Sequence, residues 1–351
     1  MGIYVITNIV IVVLGLFCGL SQHKDKLLSY IFIIPSFIML FIISAYRGDF
    51  ATDYRGYESL FYTYNQFGFI EVLRGDLYQE KGYIFLSRMV GEFTDNPIYL
   101  FIVVSFIILF IFYHQFQKYS TYMWLSVLMF VTIGPFYTSF NIMRQILAVA
   151  IIFSGSRFLY ERKMIKYFLI VFLASLFHRT SLIMIVAYFI LNFKLSIKNI
   201  IVLFFTSVVA MLYLDRVVLI IQNFFYSGYT ENSYGMTGLS FTNVVVPITI
   251  LVFCLFHYKK IDLNNTIHRV WINAVFFYVF FSIAGLQIQM VQRLSEFFRP
   301  FVMLSVPFLL SKIANKEIKI ITIVGLVFVL VLYNYIMLSG SGYDPYYFIW
   351  D

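Results

Sequence analysis

The chain has 351 residues, 61% hydrophobic and only 12% charged, with a formal net charge of +8. A soluble domain carries roughly 25% charged residues, so a water-soluble fold is excluded. Lipid is the solvent for most of this chain, and in lipid the backbone must pair within helices or a closed barrel. Apolar runs such as 99–113, 121–140 and 241–257 lack the alternation of barrel strands, so the expected class is an all-α polytopic membrane protein.

In chain order, twelve spans are predicted near 2–20, 27–44, 97–113, 121–139, 143–160, 164–177, 179–193, 199–215, 241–257, 270–286, 298–311 and 318–337. The first is read as a retained span. No basic residue precedes it, as a signal peptide would need, and Phe17 before Cys18 spoils a lipoprotein cleavage site. Cys18 and Cys254 both fall inside apolar spans and suggest packing, not a disulfide framework. No internal repeat and no soluble domain is visible, so residues 1–351 read as a single transmembrane domain.

Charge sets the orientation. One set of alternating loops holds fifteen basic residues, among them Lys118, Lys163, Lys194, Lys259 and Lys316, against four acidic ones. The other set holds ten basic and thirteen acidic residues. The positive-inside rule puts the first set in the cytoplasm and both termini on the outer face. This topology also accounts for the basic excess without a nucleic-acid partner. It leaves one asymmetry unexplained. Twelve of thirteen lysines fall inside, whereas nine of twelve arginines fall outside: Arg47, Arg55, Arg74, Arg88, Arg144, Arg179, Arg216, Arg293 and Arg299. Arginine is the side chain that grips phosphate and carboxylate bidentately.

Two large outer segments are expected, 45–96 and 216–240. In the first, Leu60, Phe61, Tyr64 and Phe67 recur at helical spacing, as in a helix lying on the membrane surface. The second carries Tyr226, Tyr229, Asn232 and Tyr234, which suit sugar stacking but equally an aromatic belt.

Ionisable groups near membrane depth are costly and each needs a reason. Asn141, Arg144 and Gln145 open the fifth span; the alternative for the arginine is snorkelling to the headgroups. His178 and Arg179 sit at the tip of a short hairpin, 164–193, whose arms reach only about 20 Å against a hydrocarbon core of about 30 Å. A histidine recessed there is a candidate general base, or a hydrogen-bonded turn residue. Arg293, Glu296 and Arg299 flank Phe297 and Phe298, and Glu296 could simply pair with Arg293. Arg47, Asp49, Asp53 and Arg55 follow the second span as a possible acid–base or cation group, or a solvated loop. Neither a zinc-spaced His/Cys cluster nor a Gly-rich phosphate loop with lysine is present in the sequence, so no metal or cofactor is expected. Together the arginines, a candidate base and carboxylates point to a site for an anionic, membrane-anchored substrate.

These residues resemble the Wzy/EpsG-type polysaccharide polymerases of bacterial envelopes. The likeness runs through Arg47-Gly-Asp-Phe-Ala-Thr-Asp53-Tyr-Arg-Gly-Tyr57, Glu80-Lys-Gly-Tyr83, Arg144-Gln145, Ala174-Ser-Leu-Phe-His178-Arg-Thr-Ser181, and Arg293 ahead of Phe297 and Phe298. A tyrosine is common near the last of these and is absent here. The resemblance implies a GT-C-like architecture in the bacterial plasma membrane, with the active site facing the periplasm or exterior. It implies transfer of a glycan from undecaprenyl pyrophosphate to a sugar hydroxyl of another lipid-linked repeat unit. The polymer would be an O-antigen, a capsule or an exopolysaccharide. Arg144, Arg179 and Arg293 would hold the leaving pyrophosphate, and His178 or Asp53 would act as base. Arg47, Tyr57, Glu80, Tyr83, Gln145, Glu296 and Arg299 would bind substrate. A chain-length regulator and a flippase would be the protein partners.

Two rivals stand beside this reading. A flippase for the same lipid-linked sugar should place charges along a mid-membrane path and on both faces. A membrane O-acyltransferase would need a donor site reachable from the cytoplasm, where the inner loops offer only basic residues.

Overall fold

A computed structural model describes residues 1–18, 26–68, 70–71, 80–225, 242–286, 289–339 and 342–351. Arg74 and the aromatic residues of the 226–240 segment lie outside the described residues. The protein is all-helical, with 79% helix and no strand among the described residues.

The helices follow the apolar runs. They are α1 (Gly2–Phe17), α2 (Lys26–Ala45), α3 (Tyr54–Asn65), α4 (Lys81–Gly91), α5 (Ile98–Tyr119), α6 (Met123–Thr132), α7 (Pro135–Thr138), α8 (Met143–Ser154) and α9 (Ser156–Tyr160). Then come α10 (Met164–Ser175), α11 (Ile183–Leu191), α12 (Ile197–Phe225), α13 (Thr242–His257), α14 (Thr266–Ala284), α15 (Gln289–Gln292), α16 (Arg299–Ser311) and α17 (Lys316–Ser339). Tight 3-10 turns at Arg179–Leu182 and Arg293–Phe297 precede α11 and α16. α12 continues to Phe225, so the helix runs about three turns past the boundary expected at 215.

Among the described residues, four helices are long and apolar enough to cross a membrane: Leu27–Ala45, Ile98–Tyr119, Thr266–Ala284 and Lys316–Ser339. A fifth crossing arises if Met290–Phe297 and Arg299–Ser311, bent by 51°, form one span. Apart from α12, the other apolar segments fall on shorter helices, and two expected as continuous are broken. The 121–139 segment breaks after Thr132, where Gly134 takes φ +115°, a left-handed conformation that only glycine adopts cheaply, before Pro135 starts α7. The carbonyls freed at this break meet Asn334 of α17, whose Nδ2 lies 3.4 Å from Val131 O and 3.5 Å from Thr132 O. Asn8 of α1 donates to the Asn334 Oδ1 at 2.9 Å, tying three helices together at a buried polar point. The 143–160 segment breaks at Gly155, where a Cβ would lie 2.7 Å from the Ile170 side chain.

α6, α8, α14 and α16 form the interior; every residue of α6 is buried, as is nearly all of α16. α2 and α17 are peripheral, with exposed Ile, Phe and Val along their outer sides. Such faces are stable only against acyl chains.

One end of the bundle gathers the C-terminus of α2, the N-terminus of α8 and both chain termini. An antiparallel bridge joins Arg47 to Phe348. Gly48 N–H donates to Tyr347 O at 2.9 Å and Ile349 N–H to Tyr46 O at 3.0 Å. The amino group of Met1 lies 2.6 Å from Asp344. The same end carries the polar cluster described next.

Candidate functional site

The cluster is built where three separate segments meet. Glu80 precedes α4, and its carbonyl accepts the first helical hydrogen bonds from Tyr83 (3.1 Å) and Ile84 (3.2 Å). α4 starts directly on the tip of the α10–α11 hairpin. Gly82 N–H donates to Leu176 O at 2.8 Å, and a Cβ on Gly82 would lie 2.7 Å from that same oxygen. Glycine is therefore what permits this approach. It brings the Glu80 carboxylate to the turn that holds His178 and Arg179.

Glu80 is the hub. Its Oε2 accepts from Arg144 Nη1 at 2.5 Å, and its Oε1 lies 3.5 Å from His178 Nδ1 and accepts from the Arg179 backbone N–H at 3.4 Å. The histidine contact is at the outer limit of a hydrogen bond. The Glu80 side chain is 8% exposed, that of His178 15% and that of Arg144 20%. Burial alone would raise the Glu80 carboxyl, but the His178 contact and the Arg144 charge win and hold it down at about 2. Burial pushes the His178 imidazole below its ordinary value, with Glu80 pulling partly the other way, so at neutral pH the ring is uncharged.

Tyrosines floor the cluster. The Arg144 guanidinium lies 5.7 Å from the Tyr83 ring centroid, and Tyr83 meets Tyr57 edge-on at 5.8 Å. Tyr57 and Tyr83 are both buried. Asp53, at the start of α3, is exposed on one side; burial on the other raises its carboxyl, against the pull of Arg293 and Arg144. Arg293 thus lies within electrostatic range of both Asp53 and His178. Gln145, buried beside Arg144, donates its Nε2 to Arg293 O at 2.7 Å and locks α8 to the turn before α16. Among the described residues, no carboxylate lies within ion-pair distance of the Arg293 or Arg179 side chains.

The structure therefore brings Asp53, Tyr57, Glu80, Tyr83, Arg144, Gln145, His178, Arg179 and Arg293 together. It separates others from them. Arg47 is 1% exposed, its guanidinium sandwiched 4.7 Å from Phe101 and 5.1 Å from Phe140 and donating to Ser44 O, so it props the site from beneath and offers no surface to a substrate. Glu296 pairs with Arg299 at 2.9 Å across the bend, not with Arg293. That pair is buried against Tyr278, with Arg299 5.5 Å from its ring and close to Gly134. Asp49 is held by Arg55 (2.6 Å) and by the Tyr347 hydroxyl, which leaves it a structural role.

Sequence reasoning missed several hydroxyls here. Tyr64, Thr180, Ser181 and Ser295 have buried oxygens with no protein partner, as does Gln145 Oε1. Such atoms are costly unless something else meets them, so their concentration in these segments marks a polar recess. Thr180 and Ser181 follow Arg179 in the stretch that carries His178 and could have been flagged as site hydroxyls. Tyr343, which accepts from Asn141 Nδ2 at 2.9 Å, carried no sequence signal, because only the fold brings the C-terminal segment to α8.

The sequence pattern of the EpsG family matches residues 30–349. The chain belongs to the EpsG family. EpsG is a Wzy-like polysaccharide polymerase family, and the apolar helices agree with a multi-pass membrane protein of that kind. No curated protein and no solved structure matches the chain. Within an EpsG protein the short motifs gain a physical sense. In Glu80-Lys-Gly-Tyr83, the acid grips Arg144, the glycine admits the hairpin tip, and the tyrosine lies under the arginine.

Proposed function

We propose that this EpsG-family protein polymerises lipid-linked oligosaccharide repeat units at the outer face of the bacterial plasma membrane. A glycan passes from undecaprenyl pyrophosphate to a sugar hydroxyl of a second lipid-linked unit. The observation that carries this reading is the Arg144–Glu80–His178 cluster, flanked by Arg293 and Arg179, at one end of the bundle. The bond from the donor sugar's anomeric carbon to phosphate breaks and a bond to the acceptor oxygen forms. The acceptor's proton goes to a base, and the leaving pyrophosphate takes the electron pair.

Each residue has a physical task in this reading. Arg293 and Arg179, with no carboxylate partner among the described residues, neutralise the leaving group; Arg144, already held by Glu80, is a fixed third donor. A neutral His178 with Nδ1–H turned to Glu80 leaves Nε2 free to take the proton. Asp53 is the alternative base from the opposite wall. Tyr57 and Tyr83 stiffen Arg144 from below. The single transmembrane domain, the twelve crossings, the outward termini and a GT-C-like arrangement belong to the same reading. So do a chain-length regulator and a flippase as partners.

The test is the surface glycan of cells lacking the gene, beside cells rescued with the native protein, Arg144→Ala, Arg293→Ala or His178→Ala. Single repeat units on the carrier lipid without a ladder are expected from the null strain. Each variant should lose about 10²-fold or more of the rate while inserting normally. Single units trapped inside the null strain would instead make the protein a flippase.

A further inference from the structure

α3 and α4 pack against each other, with Tyr57 meeting Tyr83 edge-on, and their buried residues are Tyr57, Phe61 and Tyr64 on α3 and Tyr83, Ile84, Leu86 and Val90 on α4. Their outward faces differ in kind. α3 shows Arg55, Ser59, Tyr62 and Gln66 at four-residue or near four-residue steps, a wettable stripe. α4 shows Phe85 (44% exposed) and Met89 (42%), and the same line continues to Phe93 (87%). A stripe like this has no place in water. A polar turn, Glu92 to Asn96, carries the chain on to α5, whose outward Tyr99, Phe106 and Phe110 form the apolar side of a helix long enough to cross a membrane.

The height of α4 follows from what lies under it. Its first turn rests on Leu176 at the tip of the α10–α11 hairpin. α10 has 12 residues, and the arm returning from the tip is a 4-residue turn plus the 9-residue α11. At 1.5 Å per residue each arm climbs only about 18–20 Å of a hydrocarbon core about 30 Å thick. Something apolar must fill the remainder above the tip, or the bilayer must thin there.

We propose that α4 lies within the membrane leaflet at the site end, with Phe85, Met89 and Phe93 against acyl chains. The Glu80 cluster, anchored at the start of α4, then sits at the boundary between acyl chains and headgroups. α3 forms its watery roof. This placement holds whatever reaction the cluster performs. If the proposed polymerase reading is right, a pyrophosphate on a lipid carrier meets Arg144, Arg179 and Arg293 at its own depth, entering sideways from the bilayer.

Single cysteines at 85, 89, 93, 59 and 62, placed in the full chain with Cys18→Ser and Cys254→Ala and reconstituted into liposomes, test it. Positions 85, 89 and 93 should react about tenfold or more slowly with a charged, membrane-impermeant thiol reagent than 59 and 62, because the reagent must leave water to reach them. A bimane at 85, 89 or 93 should be quenched by brominated lipid, and at 59 or 62 it should not. Reaction at 85, 89 and 93 as fast as at 59 overturns the proposal. Slow reaction without quenching also overturns it, since protein and not lipid would then cover the stripe. Three positions along the stripe guard against one that misfolds. Ladder length from the same variants reports the reaction separately, so failure of the depth assignment and failure of the polymerase reading are distinguishable.

Discussion

Glu80 shows how a residue's weight depends on its neighbours. In the sequence it is one acid among thirteen on its side of the membrane, while Arg144 and His178 stand out by their depth. In the structure it is the acid that both of them share. Its depressed pKa makes a stability prediction. Ionised Glu80 is favoured by the fold, so its contribution is complete above the unfolded value of 4.5 and is lost as pH falls toward about 2. Glu80→Gln should lower thermal stability at pH 7 by on the order of 2 kcal/mol and flatten the fall in stability between those two pH values, read by melting in detergent. A second prediction separates the two candidate bases. If neutral His178 takes the proton, polymerisation is constant above neutrality and falls only below a pH under 6.5, and His178→Gln abolishes that step. If Asp53 takes it, the fall lies above the ordinary 3.8 of an aspartate, and Asp53→Asn removes it whereas His178→Gln leaves it in place. The ionisable residues of the site were legible because charge in an apolar chain is conspicuous. Their partners were not: Arg47 looks like a clamp in sequence and is a cation between two phenylalanines, which only tertiary packing decides.

At the level of elements, apolar runs located the helices, since length and hydropathy are local properties. The breaks at Gly134 and Gly155 were missed, because a lone glycine in an apolar run is tolerated in many helices. The face of the outer helix was also misjudged. Of the residues at helical spacing, Phe61 and Tyr64 are buried and Leu60 is half-buried, whereas Phe67 lies beyond the end of α3 and is exposed, and α4 carries the apolar outward residues Phe85 and Met89. The junction between α4 and the hairpin tip rests on Gly82, where an added methyl would meet the Leu176 carbonyl and not a pliable side chain. Gly82→Ala should therefore push Glu80 away from His178 and Arg179 and cut polymer synthesis by roughly tenfold or more, as small misplacements of a site do. Gly56→Ala is the matched comparison. Nothing lies within 4 Å of a Cβ there, and in the first turn of α3 alanine should leave activity unchanged and add about 0.4–1 kcal/mol of stability. Equal loss in both variants would deny the junction its special role.

For the whole molecule, two independent lines bear on the proposed topology. The sequence sorts its lysines into one set of loops, which the positive-inside rule assigns to the cytoplasm. The structure brings Met1, Asp344 and the 346–349 segment to the same end as Arg47 and Asn141. A chain whose two ends meet at one end of a bundle has crossed it an even number of times. The twelve crossings proposed would satisfy that condition; among the described residues four helices are long and apolar enough to cross singly, and the bent pair before and after Phe298 makes a fifth if it is one span. The α10–α11 hairpin, at about 18–20 Å per arm, is shorter than the hydrocarbon core is thick, and counting it as a turn-back leaves ten crossings, which is even as well. Orientation can then be read with two cysteines in a cysteine-free background. On intact cells a membrane-impermeant reagent should label a cysteine at Asp351 and spare one at Lys260, in the loop before α14; after the membrane is opened both should react. The reverse pattern would turn the Glu80 cluster toward the cytoplasm. Its arginines would then face a compartment where sugars arrive on soluble nucleotides, and the outward polymerase would have to be abandoned along with the orientation.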